Sequence, residues 1–317
     1  MQLSVVIPVY NEEENVEPLI QEINAALEPL GKQYEVVVVD DGSQDNTFPM
    51  LAQLHQNELH LRVVRLKRNF GQTAAMAAGL AHAEGDVIVT MDGDGQNDPG
   101  DIPTLLATLD EGNDLVAGWR VNRQDPFLSK RLPSLIANRL ISWMTRVKLH
   151  DYGCTLKAMR KEVAKNLKLY GEMHRFIPAI AYERGARVAE LKVNHRPRLR
   201  GKSKYAVTRT LRVILDLLTV KFLISYSTRP LHVFGPIGIA SATAGFLIAA
   251  YLTVQKLAYD VELGGRPLLL LAILLMFIGI QFITMGLLGE MLARTYHESQ
   301  DRAVYVVGEV LQRRRCA

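Results

Sequence analysis

Two uninterrupted apolar runs constrain this 317-residue chain more than any other feature. Residues 233–254, VFGPIGIASATAGFLIAAYLTV, and residues 267–289, PLLLLAILLMFIGIQFITMGLLG, contain no charged side chain. About 20 apolar residues in a helix cross a bilayer core, so each run is long enough to span. One such run could be the buried helix of a soluble core; two in succession predict a membrane hairpin carrying a large polar head. The linker between them, QKLAYDVELGGR, has two basic and two acidic residues and no net charge. Basic residues lie outside the pair instead: Lys221 and Arg229 before it, Arg294, Arg302 and Arg313 to Arg315 after it. The bias of Lys and Arg toward the cytoplasmic side then predicts that both termini are cytoplasmic. The opening MQLSVVIPVY has no basic stretch or cleavage site, so no signal peptide is expected to export the head. Only Cys154 and Cys316 are present, which implies no disulfide framework. The net charge of +4 is modest, and the basic residues crowd the membrane segment. That pattern points to anionic lipid or phosphate as partner, with no nucleic acid.

Residues 1–205 read as one α/β domain. The strand-like runs SVVIPVY, EVVVVD, LRVVRL and DVIVTMD alternate with segments of helical periodicity such as EEENVEPLIQEINAALEPL. This alternation predicts a mostly parallel sheet covered on both faces, in which ligands bind beyond the carboxyl ends of the strands. The unusual polar clusters PVYNEEE, DDGSQDNT, KRNFGQ and DGDGQND all follow such runs. Residues 206–230 read as an interfacial amphipathic helix, with Arg209, Arg212 and Asp216 spaced three and four apart on one face. A helix docked on the head is the alternative. A transmembrane hairpin over 231–293 and a cytoplasmic tail over 294–317 complete the expected organisation.

The clusters exclude two common nucleotide sites, because neither GxGxxG nor GxxxxGK[ST] occurs. Phosphate must be held differently, and a carboxylate pair holding a divalent cation is one way. Mg²⁺ and Mn²⁺ prefer hard oxygens, often one or two carboxylates plus substrate phosphate. In VIVTMDGDGQNDP, Asp92 and Asp94 can address one ion if the loop turns at Gly93, with Gln96 two positions on. Asp98, followed by Pro99, reads instead as the start of the next helix.

Taken in order and spacing, VVIPVYNEE, VVVVDDGSQDNT, RNFGQ and MDGDGQNDP resemble the family 2 glycosyltransferases, whose fold is the Rossmann-like GT-A type. The later HDYGCTLKAMR, HRFIPAIA, HRPRLRGKSKY and FIGIQFITMGLLGE resemble the polyprenyl-phosphate branch. That branch holds the dolichol-phosphate mannose synthases, prophage-type glucosyltransferases and undecaprenyl-phosphate formamido-arabinose transferases; DYGC and GxSKY look closest to the last. The resemblance implies a metal-dependent, inverting transfer of one sugar from a nucleotide-sugar, UDP-linked by preference, to undecaprenyl phosphate. It implies Mg²⁺ or Mn²⁺, a bacterial inner membrane, a role in cell-envelope glycan or lipid A modification, and a homo-oligomer, a tetramer by resemblance.

Site roles follow from the same resemblance. Asp92, Asp94 and Gln96 would hold the metal and, through it, the donor diphosphate. Pro8, Tyr10, Asn11 and Glu12 would line the nucleotide pocket, and Asp41, with Asp40 beside it, would accept from the base. Asp40 reads equally as a turn residue opening DDGS. Arg68 and Gln72 would close the base and ribose side, although a surface ion pair also accounts for Arg68. Lys202 and Lys204 would cover the donor phosphates, while Arg131, Ser134, Asn138 and Arg200 would face the acceptor phosphate, for which an arginine fork is well suited. Asp151 would orient the acceptor first and act as a base second. His150 and Cys154 depart from the mannose-synthase pattern there, and Thr155 takes the position of the prophage-type base. Cys154 reads as a packing or acceptor-site residue, and His174 and Arg175 either cap the acceptor tunnel or serve the structure.

Two other functions fit parts of the chain. A processive polysaccharide synthase shares the nucleotide half but typically carries QxxRW and more spans. Here the only tryptophans are Trp119 and Trp143, neither in such a motif. A non-catalytic membrane adaptor predicts lost metal ligands, whereas Asp92, Asp94 and Gln96 are all present.

Overall fold

The computed structural model describes residues 2–121, 142, 147–167, 169, 173–197, 231–259, 267–299 and 305–312. The chain divides into a head, residues 1–218 together with 303–317, and a second unit, residues 219–302.

In the head, strands β1 (Leu3–Val9), β2 (Tyr34–Asp40), β3 (Leu61–Leu66) and β4 (Val87–Thr90) alternate with helices α1 (Val16–Leu27), α2 (Thr47–Asn57) and α3 (Gln72–His82). Every residue of β1 and β2 is buried, as expected of Val- and Ile-rich strands covered on both faces. Helix α1 turns Val16, Leu19, Ile20, Ile23 and Leu27 to the core at helical spacing. Helix α3 needs small residues because it runs close to the sheet; a Cβ on Gly79 would collide with Val6 Cγ1. After β4 come α4 (Ile102–Asp110), β5 (Leu115–Arg120), β6 (Lys157–Arg160), α5 (Lys161–Lys165), α6 (Ile177–Glu183) and β7 (Val188–Val193).

Among the described residues the head forms one eight-stranded sheet in the order β7-β5-β6-β4-β1-β2-β3-β8, where β8 is Val307–Leu311. Strands β1 to β4 are mutually parallel where they pair, as expected, and β6 runs antiparallel to both β4 and β5. The tail differs from its expected form. The last helix continues to Ser299, and Val307–Leu311 is no free tail but β8, paired antiparallel with β3 at the sheet edge. Its VYVVGEVL stretch is apolar enough to complete the sheet, which a boundary drawn only from the end of the charge-free run could not show.

The second unit contains helices α7 (Leu231–Tyr259) and α8 (Pro267–Ser299). Within them Phe234–Tyr259 and Pro267–Gly289 are apolar enough to span, with mean hydropathies of 1.8 and 2.6. The helices meet through small residues. A Cβ on Gly279 would lie 2.6 Å from Gly238 O and 2.7 Å from Ala242 Cβ, and one on Gly245 would lie 2.6 Å from Ala272 O. Ser241 Oγ also donates across the pair to Leu275 O at 2.9 Å. Close backbone approach of this kind is how apolar helices associate where water supplies no hydrophobic drive. Their outward surfaces remain apolar, with Leu257 83 % and Phe277 68 % exposed, so these are not the core helices of a soluble domain. The expected interfacial helix at 206–230 lies outside the described residues.

Candidate active site

The loops beyond β1, β2, β3 and β4 converge at the carboxyl edge of the sheet. Beyond β1, Asn11 adopts a positive φ of 53°. Its backbone N–H donates to Ser43 Oγ at 2.9 Å, and its Oδ1 accepts from Gln44 N at 2.8 Å. An asparagine tolerates this left-handed geometry when such local bonds hold it. Glu12 N donates to Thr47 Oγ1 at 2.8 Å, and Glu12 Oε2 accepts from Asn15 Nδ2 at 2.6 Å. PVYNEEE and DDGSQDNT are thereby joined into one surface, with Pro8 buried at the end of β1 and Tyr10 half-buried beyond it.

Asp40 and Asp41 are both buried but differ in their bonding. Asp40 Oδ1 accepts from Ser43 N at 3.0 Å, as a turn-opening aspartate does. Its Oδ2 makes no hydrogen bond among the described residues and faces Arg65 Nε at 3.7 Å. Asp41 accepts from Phe70 N at 2.7 Å and Gly71 N at 2.8 Å, tying DDGS to the KRNFGQ loop. Burial raises the Asp41 pKa, and the two amides oppose that rise. The same junction explains Gly42, which has a φ of +69° and whose Cβ would lie 2.5 Å from the Arg68 carbonyl carbon. Arg68 is exposed, its guanidinium 4.8 Å from the Phe70 ring centroid.

Beyond β4, the loop from Asp92 is fastened on several sides. Gln72, expected at the base and ribose, donates its Nε2 to Asp92 Oδ1 at 2.7 Å. Asp92 N donates to Asn97 Oδ1 at 2.9 Å, and Thr155 Oγ1 reaches the same oxygen at 3.2 Å. The left-handed turn falls at Gly95, with a φ of 73°, rather than at Gly93. Gly93 is needed for proximity instead, since a Cβ there would lie 2.5 Å from Val9 Cγ1. Asp94 Oδ1 accepts from Gln96 N at 3.1 Å. Asp98 accepts from Gly100 N at 2.9 Å and caps the turn that leads into α4.

The charge at Asp92 bears on what this loop could bind. Burial first, then the neighbouring Asp94 charge, push the Asp92 carboxyl up to about 6, although Thr155, Arg120 and Lys157 act in the opposite direction. Two crowded carboxylates are hard oxygens that a divalent cation would relieve, so Asp92 and Asp94 fit Mg²⁺ or Mn²⁺, while Gln96 beside them donates its Nε2 to Arg196 O at 3.5 Å. Among the described residues no three His, Cys, Asp or Glu side chains form a complete cage. The remaining ligands would therefore come from substrate phosphate or water, as is usual for Mg²⁺.

Near β5 and β6 stands a second buried cluster. Arg120 grips Asp151 with two bonds, Nε to Oδ2 at 2.7 Å and Nη2 to Oδ1 at 3.0 Å. Burial opposes the Arg120 charge, but the hydrogen bonds and charge of Asp151 outweigh it and raise its pKa. Gly153 N also donates to Asp151 Oδ1 at 3.0 Å, while Glu190 accepts from the backbone N–H groups of His150 and Asp151. His150 stacks on Trp119 with centroids 4.1 Å apart. Buried Lys157 donates to Cys154 O. Burial lowers the Lys157 pKa and pushes the Cys154 thiol up to about 11, so the thiol stays protonated at neutral pH. His174, buried, shares a 2.6 Å hydrogen bond between its Nδ1 and Thr73 Oγ1 on α3. Arg175 beside it is half-buried.

Arg131, Ser134, Asn138, Arg200, Lys202 and Lys204 lie outside the described residues. Reading the sequence alone missed Asn97, Arg120 and Lys157, which hold or face the Asp92 loop, and named Thr155 without its contact to Asn97. Lys157 left one trace, a charged residue between the apolar Leu156 and Ala158. Arg196 was missed too. It donates to Asp98 Oδ1 at 2.8 Å and Glu22 Oε2 at 2.5 Å, and its backbone N–H donates to Gln96 O at 3.0 Å.

Comparison with known proteins gives three further findings. The family model described as Glycosyl transferase family 2 matches residues 4–168. A dodecaprenyl-phosphate galacturonate synthase from Rhizobium johnstonii is 45 % identical over 314 residues, covering 98 % of this chain and 93 % of the relative. A crystal structure of glucosyl-3-phosphoglycerate synthase from Mycobacterium tuberculosis, in complex with Mn²⁺ and UDP-glucose, aligns with a TM-score of 0.56 at 22 % identity. It covers 72 % of this chain and 81 % of its own, a likeness of fold.

Proposed function

Because the chain belongs to glycosyl transferase family 2, with a GT-A head, we propose that it moves one sugar from a nucleotide-sugar to a polyprenyl phosphate at the membrane surface. The observation that carries this reading is the Asp92–Asp94 pair, held at the carboxyl edge of the sheet on a chain with a membrane-length hairpin. The relative named for dodecaprenyl phosphate and galacturonate directs the choice of acceptor and first donor. A nucleotide-linked galacturonate therefore heads the list of donors, ahead of aminoarabinose-type, glucose, N-acetylhexosamine and mannose donors.

In this reading Asp92, Asp94 and Gln96 would hold Mg²⁺ or Mn²⁺, which would supply charge neutralisation for the departing diphosphate. Gln72 and Asn97 keep Asp92 in place for that task. An acceptor phosphate oxygen attacks the anomeric carbon as the bond to the nucleoside diphosphate breaks, which inverts that centre. The acceptor is already anionic, so the step removes no proton from it. Asp151, gripped by Arg120, accordingly suits positioning better than proton abstraction. Arg131, Ser134, Asn138 and Arg200 are proposed for the acceptor phosphate, and Lys202 and Lys204 for the donor phosphates, on resemblance. A homo-oligomer is proposed on the same ground. The cytoplasmic face of a bacterial inner membrane is the proposed location. What supports placing both hairpin ends on one side is that β8, after the hairpin, belongs to the same sheet as β1 to β7.

The test incubates purified protein with undecaprenyl phosphate, Mn²⁺ and a panel of UDP- and GDP-sugars that includes UDP-galacturonate. A lipid-linked sugar is the expected product. Nucleoside diphosphate release without it would overturn the acceptor assignment.

A further inference from the structure

The strand that follows the membrane hairpin lies beside the donor loops. The register of β8 sets Glu309 opposite Arg65 on β3, and Arg65 stands opposite Asp40 on β2. Aligned partners on adjacent strands share a face, so three strands carry an acid–base–acid row. At its buried end the row has the Asp40 oxygen that lacks a hydrogen bond among the described residues, 3.7 Å from Arg65 Nε. The Arg65 guanidinium sits 4.1 Å from the Phe48 ring centroid, and its side chain is 41 % exposed, so it bridges from core to solvent.

Pairing continues one residue past β3, where Lys67 N donates to Val306 O at 3.0 Å. It thereby anchors the start of the loop that carries Arg68, leads into α3 at Gln72 and holds Asp41 through its amides. Between these pieces is a cavity of about 370 Å³, lined by Gly42, Ser43, Arg65 and Lys67 on one side and Gly308 and Glu309 on the other.

Its position matches one end of a nucleotide. The metal-binding loop follows β4, and β1, β2, β3 and β8 succeed one another from there. At about 4.8 Å per strand, β3 lies roughly 14 Å across the sheet from β4. A nucleoside diphosphate anchored by its phosphates at Asp92 and Asp94 would reach this cavity with its base if it lay across β1 and β2. Resting on the sugar-transfer reading, we propose that β8 forms the outer wall of the base subsite, with Glu309 facing the base of the nucleoside diphosphate. Glu309 accepts from the N–H edge of the base, and Arg65 offers donors to its carbonyl edge. The donor site is then completed by a segment that the ribosome delivers only after both membrane spans.

Calorimetry on the detergent-solubilised full chain tests this, with Mn²⁺ and, in separate runs, UDP, GDP or inorganic pyrophosphate. Glu309→Lys is expected to weaken the nucleoside diphosphate that the wild type binds by about tenfold, the scale of one charge-assisted hydrogen bond. Pyrophosphate, which has no base, should bind as it does to the wild type. Glu309→Gln, which leaves the ladder intact, should weaken the nucleotide in the same sense. Unchanged nucleotide affinity in Glu309→Lys overturns the inference, as does an equal loss for nucleotide and pyrophosphate. A wild type that binds pyrophosphate but neither nucleotide overturns the sugar-transfer reading and the inference with it.

Discussion

At the scale of single residues, Asp92 and Asp94 were readable because an apolar strand ending in adjacent carboxylates is unfavourable without a cation to balance them. Asp94→Asn should abolish turnover while the melting temperature holds; an active variant would remove the metal assignment. Asp151 separates two roles. Breaking its buried pair with Arg120 by Asp151→Ala leaves an unpaired buried charge and should cost about 3–5 kcal/mol of stability, measured by denaturant unfolding of the head. Turnover separates the roles: Asp151→Asn, which keeps an oxygen for Arg120, should retain part of the activity if Asp151 positions the acceptor and lose all of it if Asp151 is a base. Cys154 is sealed and protonated, so iodoacetamide should label it in a Cys316→Ser background only after unfolding; rapid labelling of the native protein would contradict its burial. The partners of these groups were not readable. Arg120 meets Asp151 across 31 positions, and Thr155 meets Asn97 across 58, and no local periodicity encodes such a meeting.

At the scale of elements, periodicity and punctuation predicted the strands and helices of the first half of the head, because each carries its own pattern. What they did not reveal was the reason for several glycines. Gly93 looked like the turn of the metal loop, yet the turn is at Gly95, and Gly93 is constrained by the side chain of Val9 on a neighbouring strand. In the membrane pair, Gly279→Leu should force α7 and α8 apart, because its Cβ alone would lie 2.6 Å from Gly238 O. Overpacking of this kind costs about 1–3 kcal/mol. It should lower the detergent-solubilised protein's melting temperature, while Phe277→Leu on the exposed apolar surface should not. Equal melting of the two variants would show that the close glycine contact is not needed.

For the whole molecule, connectivity carries the prediction. The strand that follows the apolar hairpin pairs with β3, which supports the proposal that both ends of the hairpin lie on one side. On intact cells, a membrane-impermeant maleimide should label Gly264→Cys in a Cys316→Ser background and leave native Cys316 unlabelled in the parent. The reverse pattern would invert the proposed orientation. By itself, the sequence determined that a mostly parallel α/β head precedes two membrane-length helices and that carboxylates crowd the end of one strand. Those features are local, written as runs, periods and charge spacing. Only the tertiary structure decided that Gln72 serves Asp92, that Arg120 claims Asp151, and that the tail becomes the edge of the sheet. Each depends on which strand lies beside which, a long-range pairing that comes from burying the whole sheet at once and leaves no repeat in the chain.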